Sequence, residues 1–192
     1  TAVGYNSGYA VTTGTVNTFV GGLAGDGNTG GSNNTAIGYN SLSANADTNF
    51  NTAVGNNALA AQNEGGRNVA VGHNALIADT KGGRNVAVGF GSLATSNQTS
   101  VTTAHNTAVG YNAGTAVTTG VSNTLIGGLT GDAIQAGNQN TFIGYNLATS
   151  GVNVENQIAI GVDGTAGATS TARFIIGSNT ATLGIDGSDT SW

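Results

Sequence analysis

A glycine recurs along this chain at a nearly fixed interval, and that interval decides the architecture. Following a Val or Ile, it falls at Gly4, Gly21, Gly38, Gly55, Gly72, Gly89, Gly110, Gly127, Gly144, Gly161 and Gly177. The successive differences are 17, 17, 17, 17, 17, 21, 17, 17, 17 and 16 residues. Short units repeated in this way build solenoids, because each buries its apolar face only by stacking on the next. A longer period overlies the short one. Residues 1–40 match residues 107–146 at 26 of 40 positions, a shift of six units (5 × 17 + 21 = 106). The four extra residues (21 − 17) fall within residues 94–105, which makes that segment, Gln98 included, the best candidate for a specific contact.

Columns counted from the recurring Gly give the local structure. Position −1 is Val or Ile in all eleven units, and position −2 is Ala, Phe, Leu or Ile. β-Branched residues favour strands, and adjacent strand residues point to opposite faces. A strand apolar on both faces is covered on both. The inside of a coil covers one face, and a second chain is the natural cover for the other.

Position −4 holds Asn17, Asn34, Asn51, Asn68, Asn85, Asn106, Asn123 and Asn140. Stacked amides can hydrogen-bond along a ladder, which argues for parallel, in-register coils about 4.8 Å apart. Asp47, Glu64 and Lys81 each stand eight residues before their Gly, so Glu64 and Lys81 stack with opposite sign, while Arg67 and Arg84 stack with like sign. The Gly-rich segments between strands are expected to supply turns with positive φ. Helical periodicity is absent. The predicted fold is all-β: a parallel β-solenoid or β-roll of about eleven 17-residue coils. Residues 1–161 form the repeat array and 162–192 a divergent C-terminal coil and tail.

Function classes narrow quickly. With four Lys and Arg against nine Asp and Glu, the chain offers no basic surface for nucleic acid. It has no Cys for a disulfide or thiolate site and no apolar run of membrane-spanning length. His73 and His105 occupy different columns about two coils apart, too far to share an ion. "GGLAGDGNTGG" lacks the Gly-Lys-Ser/Thr ending of a phosphate loop. "DGNTGG" from Asp26 opens like a calcium loop but has Ile37 where Glu is required. That leaves Asp26 and Asp132 as candidates for no more than a cation at a turn. Glu155 and Asp163 are the nearest pair of acids for glycoside hydrolysis, with nothing else to recommend them. The reading is therefore not an enzyme, with no cofactor and no metal.

Position +1 holds Tyr5, Tyr39, His73, Phe90, Tyr111 and Tyr145. These residues either form a surface ladder for sugar rings or pack over Gly and Asn at a coil corner. Position −3 holds Thr1, Thr18, Thr35, Thr52, Thr107, Thr124 and Thr141, a column that a single-chain solenoid could turn to ice or another repetitive surface. Val69, Val86 and Ile158 interrupt it, and it shares a face with the position −1 residues expected to be buried, so it is expected to point inward.

"NTAIGYNSL", "NTAVGNNAL", "NVAVGHNAL" and "NTAVGYNAG" resemble the head repeats of trimeric autotransporter adhesins, and still more the Asn-Thr-Ala-Val-Gly arrays of phage tail-fibre and bacterial surface proteins. The resemblance covers nearly the whole chain and weakens after Gly161; the adhesin heads run shorter than 17 residues. It implies a left-handed parallel β-roll, an intertwined or side-by-side homotrimer, an extracellular place on a virion or cell surface, and a role in adhesion and host attachment. A cell-surface glycan is the partner so implied. "RFIIGSNTATLGIDGSDTSW" resembles the segment preceding an endosialidase-type intramolecular chaperone, which would make this chain a fragment. It also begins in mid-motif at Thr1, so neighbouring domains are expected to cap its open edges, failing which the fragment would stack into filaments.

Overall fold

A computed structural model describes residues 1–149, 151–165, 171–176 and 179–184, the last two segments for their backbone only. One 12-stranded sheet runs its length. Ten strands come in steps of one coil: β1 (Ala2–Val3), β2 (Thr18–Val20), β3 (Thr35–Ile37), β4 (Thr52–Val54), β5 (Val69–Val71), β7 (Val86–Val88), β9 (Thr107–Val109), β10 (Thr124–Ile126), β11 (Thr141–Ala148) and β12 (Ile158–Thr165). They pair in parallel with like positions opposite, as in Ala53 to Ala70 and Val54 to Val71. No helix occurs among the described residues. The parallel β-solenoid read from the sequence is the fold.

The eleventh coil departs from the expected register. β13 (Thr171–Ile176) pairs in parallel with β12, but Ile158 lies opposite Ala172, an interval of 14 rather than 17 residues. Gly161 therefore faces Ile175, and the expected eleventh Gly, Gly177, lies outside the described residues. β14 (Asn179–Gly184) then turns back antiparallel on β13, ending the array. Half of the tail that resembles a pre-chaperone segment, residues 177–178 and 185–192, also lies outside the described residues. β12 runs unbroken through the expected boundary at residue 161.

The four extra residues are absorbed between Asn97 and Asn106. Thr80 still donates its hydroxyl to Asn97, 17 residues on, whereas Asn106 is back in its column 21 residues after Asn85. Between them, β6 (Gly82–Gly83) pairs with β8 (Thr102–Thr103) as a separate two-stranded sheet.

The interior is built from five columns, one of them the mostly small residues at position +3, among them Ala24, Ala58, Ala75 and Ala113. Position −2 points in, and Ala36, Ala53, Ala70, Ala87 and Ala108 are fully buried. Position +4 supplies Leu42, Leu59, Leu76 and Leu93 above those alanines. At two coils a large residue at position −2 goes with glycine at position +4, Phe19 lying between Gly8 and Gly25 and Leu125 between Gly114 and Gly131, whereas Phe142 has Ala148 there. A side chain on any of those glycines would begin 2.6–2.9 Å from the ring or methyl groups beside it. The coil thus holds its core volume by trading bulk between two columns, as close packing demands. The fourth column, position +7, is buried and changes character along the rod, from Asn28, Asn45, Gln62, Asp79 and Ser96 to Val117 and Ile134.

The Asn column at position −4 is the fifth, and its bonding differs from an amide-on-amide ladder. Each Asn Oδ1 accepts the backbone N–H of the next Asn at 2.9–3.0 Å, from Asn17 through Asn123 to Asn140. The side-chain amide of most then donates to a backbone carbonyl 14 residues on, as Asn68 does to Gly82 and Asn106 to Gly120. Side-chain pairs such as Asn123 to Asn106 are additional. Buried backbone groups at the coil corner are satisfied this way, which explains why the column tolerates little else.

Positive φ also falls where the sequence reading did not place it. Gly25 and Gly65 adopt it as expected, at φ of 58° and 78°, but Gly30, Gly31, Gly82 and Gly83 do not, whereas Phe50, Arg67, Arg84 and His105 at position −5 have φ of 52–62°. Those four glycines are required for space instead: a Cβ on Gly31 would lie 2.4 Å from the Thr48 carbonyl oxygen.

Candidate binding face and groove

The sheet presents one face to solvent. Because Ala at position −2 fills the narrow interior, the β-branched residues at positions −3 and −1 point outward. Val3 is 58% exposed, and Ile37, Val109, Ile126, Ile143 and Ile160 lie between 36% and 41%. The Thr column is on this outward face as well, half-buried at Thr35, Thr52, Thr107, Thr124 and Thr141. That reverses the inward orientation expected for it. The reversal arises because all three strand positions are small or apolar, so alternation alone cannot choose which face is inside.

Position +1 continues the face. Tyr5, Tyr39, Phe90, Tyr111 and Tyr145 are all about half exposed or more, and His73 is exposed. His73 stacks on Phe90 with ring centres 5.0 Å apart, and Phe90 on Tyr111 at 5.5 Å. The rings of Tyr39 and Tyr145 lie over Gly22 and Gly128 of the preceding coils. The column therefore packs on glycine and remains accessible at once. Gln98, by contrast, is only 5% exposed, and its amide is turned into the rod.

A groove crosses the neighbouring corner of four coils, with a volume of about 340 Å³. Its floor is Gly65, Gly66 and Gly83; Asp47, Thr48, Asn49 and Phe50 form one wall, and Val101, Thr102 and Thr103 at the end of the insertion form the other. Arg67 and Arg84 stand in it from adjacent coils. The Arg67 guanidinium lies over the Phe50 ring, 5.5 Å from its centre, and Arg84 Nη1 is 3.5 Å from His105 Nε2. Sequence reasoning noticed the two stacked arginines and not the groove. The signal was the doubled "GGRN", which pairs a floor without side chains with a cation.

The remaining candidates are not brought together. Glu155 accepts a hydrogen bond from Asn138 and Asp163 one from Asn146, each bound to the preceding coil in a different column. Burial pushes the Asp26 carboxyl up from its ordinary value, against backbone N–H groups that pull it down. No group of three or more His, Cys, Asp or Glu suited to a metal occurs among the described residues. Lys81 and Glu64 do meet as predicted, at 4.0 Å and well exposed, a pair worth at most about 1 kcal/mol.

No known protein family, curated protein or solved structure matches the chain.

Proposed function

We propose that this chain is a rigid structural module of an extracellular attachment fibre, in which copies of itself, three about one axis, cover the exposed sheet face. The observation that carries the reading is the apolar column at position −1, exposed at one end of the rod as at the other. Soluble monomers rarely leave so long an ordered apolar stripe uncovered. The resemblance of the repeats to tail-fibre and adhesin arrays supports three copies and a place on a virion or cell surface. The fold itself suits a spacer: ten coils at about 4.8 Å give a rod on the order of 50 Å long. Light scattering tests the reading against the chain mass of 18.7 kDa. A mass three times that is expected. The triple variant Ile37→Thr, Val109→Thr and Ile126→Thr keeps β-branched strand residues and is expected to fall to one chain with its circular dichroism unchanged. A parent protein of one chain at every concentration would overturn the reading.

The outward Thr column favours a second reading, a single-chain solenoid that lays Thr and Val ranks on a repetitive surface such as ice. It requires a monomer and measurable thermal hysteresis, and the absence of either dismisses it.

A further inference from the structure

The groove at the insertion lies where the repeat is broken, and its charge is out of keeping with the rest of the chain. Only four Lys and Arg stand against nine Asp and Glu, yet two of the four occupy the same column of adjacent coils and line one groove. Like charges on neighbouring coils repel unless something neutralises them. Among the described residues no carboxylate does. The one ion pair among the described residues is Lys81 with Glu64, and neither arginine has a carboxylate within 4.0 Å. Asp47 lines the groove but accepts the Thr29 hydroxyl at 3.1 Å. Arg84 meets His105, Nη1 to Nε2 at 3.5 Å.

We propose that this groove binds an acidic sugar, its carboxylate held between Arg67 and Arg84 and the C–H face of its ring against Phe50. Guanidinium forks match a planar carboxylate and hold it with charge-assisted hydrogen bonds. Phe50 is 54% exposed, so part of its ring remains open beside the Arg67 contact. The volume, about 340 Å³, is at the small end for ligand sites and suits one or two rings. A dense polyphosphate is disfavoured, because the chain as a whole carries a net charge of −5 and repels it. The four-residue insertion acquires a role here: it builds the second wall, through Thr102 and Thr103.

The inference extends attachment to a particular surface but does not rest on assembly, since a single chain already forms the groove. Calorimetry on the whole chain at low salt tests it, with a galacturonic acid disaccharide, maltose as the neutral comparator, and inorganic phosphate alone. The uronic acid is expected to bind and maltose to bind at least about tenfold more weakly, the worth of a hydrogen-bonded charge. Arg67→Asn and Arg84→Asn should each cost about tenfold or more, and Phe50→Asn should also weaken binding. These variants keep the fold, because the same column already holds Asn33 and Asn156 at φ of 59° and 55°. Lys81→Asn removes a cation outside the groove and should leave binding unchanged. Equal binding of both sugars, no binding, or arginine variants that bind like the parent would overturn the proposal. So would phosphate binding as tightly as the uronic acid, which would reveal a site for an adventitious ion only.

Discussion

Replacing one glycine of the recurring column by alanine should damage the rod far more than its single added methyl suggests. Gly72 has φ of +136°, a conformation L-residues rarely enter, and strain of that kind costs about 1–3 kcal/mol. Space is the second cost. A Cβ on Gly72 would lie 2.4 Å from the carbonyl oxygen of Gly89 in the next coil and 2.6 Å from its carbon. Those are backbone atoms, so no side chain can swing aside. Restoring ordinary contact requires the two coils to part by nearly 1 Å, an order-of-magnitude figure for close-packed atoms. The ladder there is tight, with Gly89 N–H on Val71 O at 2.7 Å and Gly72 N–H on Val54 O at 2.8 Å. Losing one or two such bonds adds about 1 kcal/mol each, for a total of about 2–5 kcal/mol. Urea unfolding followed by circular dichroism measures the loss, with Gly22→Ala as the control. A Cβ on Gly22 would meet only the Tyr39 ring, Cδ2 at 3.4 Å and Cε2 at 3.8 Å, so that variant should unfold close to the parent. A Gly72→Ala protein within about 1 kcal/mol of the parent would refute the steric argument, since strain alone reaches that figure.

Two further outcomes follow from the interior. Asp79 is fully buried, and desolvation raises its carboxyl above the ordinary value of 3.8 despite hydrogen bonds from the Gly82 and Lys81 N–H groups and the Asn85 amide. The folded chain then holds this proton more tightly than the unfolded one, so its contribution is fully present below the unfolded value and is lost as pH rises through the folded value. Asp79→Asn should copy Asn28, which donates to Gly31 and accepts from Asn34, and should stabilise the protein at neutral pH by on the order of 1 kcal/mol. Denaturation at several pH values checks this; a variant less stable than the parent at neutral pH would contradict it. Ala53→Phe should cost about 1–3 kcal/mol by overpacking against Leu42 and Leu59. Adding Leu42→Gly and Leu59→Gly, which reproduces the Phe19 arrangement with Gly8 and Gly25, should recover part of that loss. Strictly additive losses across the series would refute the exchange of volume between columns.

The sequence by itself determined the period, the parallel register and the Asn and Gly columns. Each of these places one backbone environment at the same point of every coil, and an environment that only Asn or Gly satisfies leaves its mark in every copy. The Glu64–Lys81 pair was legible for the same reason. Other features depended on comparing residues that are distant in the chain. Positions −3, −2 and −1 are all small or apolar, so the inward turn of position −2 was decided by the narrow interior, which accepts Ala and leaves Val, Ile and Thr outside. That choice put the Thr column on the surface and exposed the stripe on which the assembly proposal stands. The trade of Leu for Gly at position +4 and the burial of Asp79 likewise appear only once coils are stacked. The groove required most of all: glycines from two coils, arginines from two, and an insertion whose place along the coil the spacing left open. Repetition exposes what every coil needs, whereas a site made by departing from the repeat exists only in three dimensions.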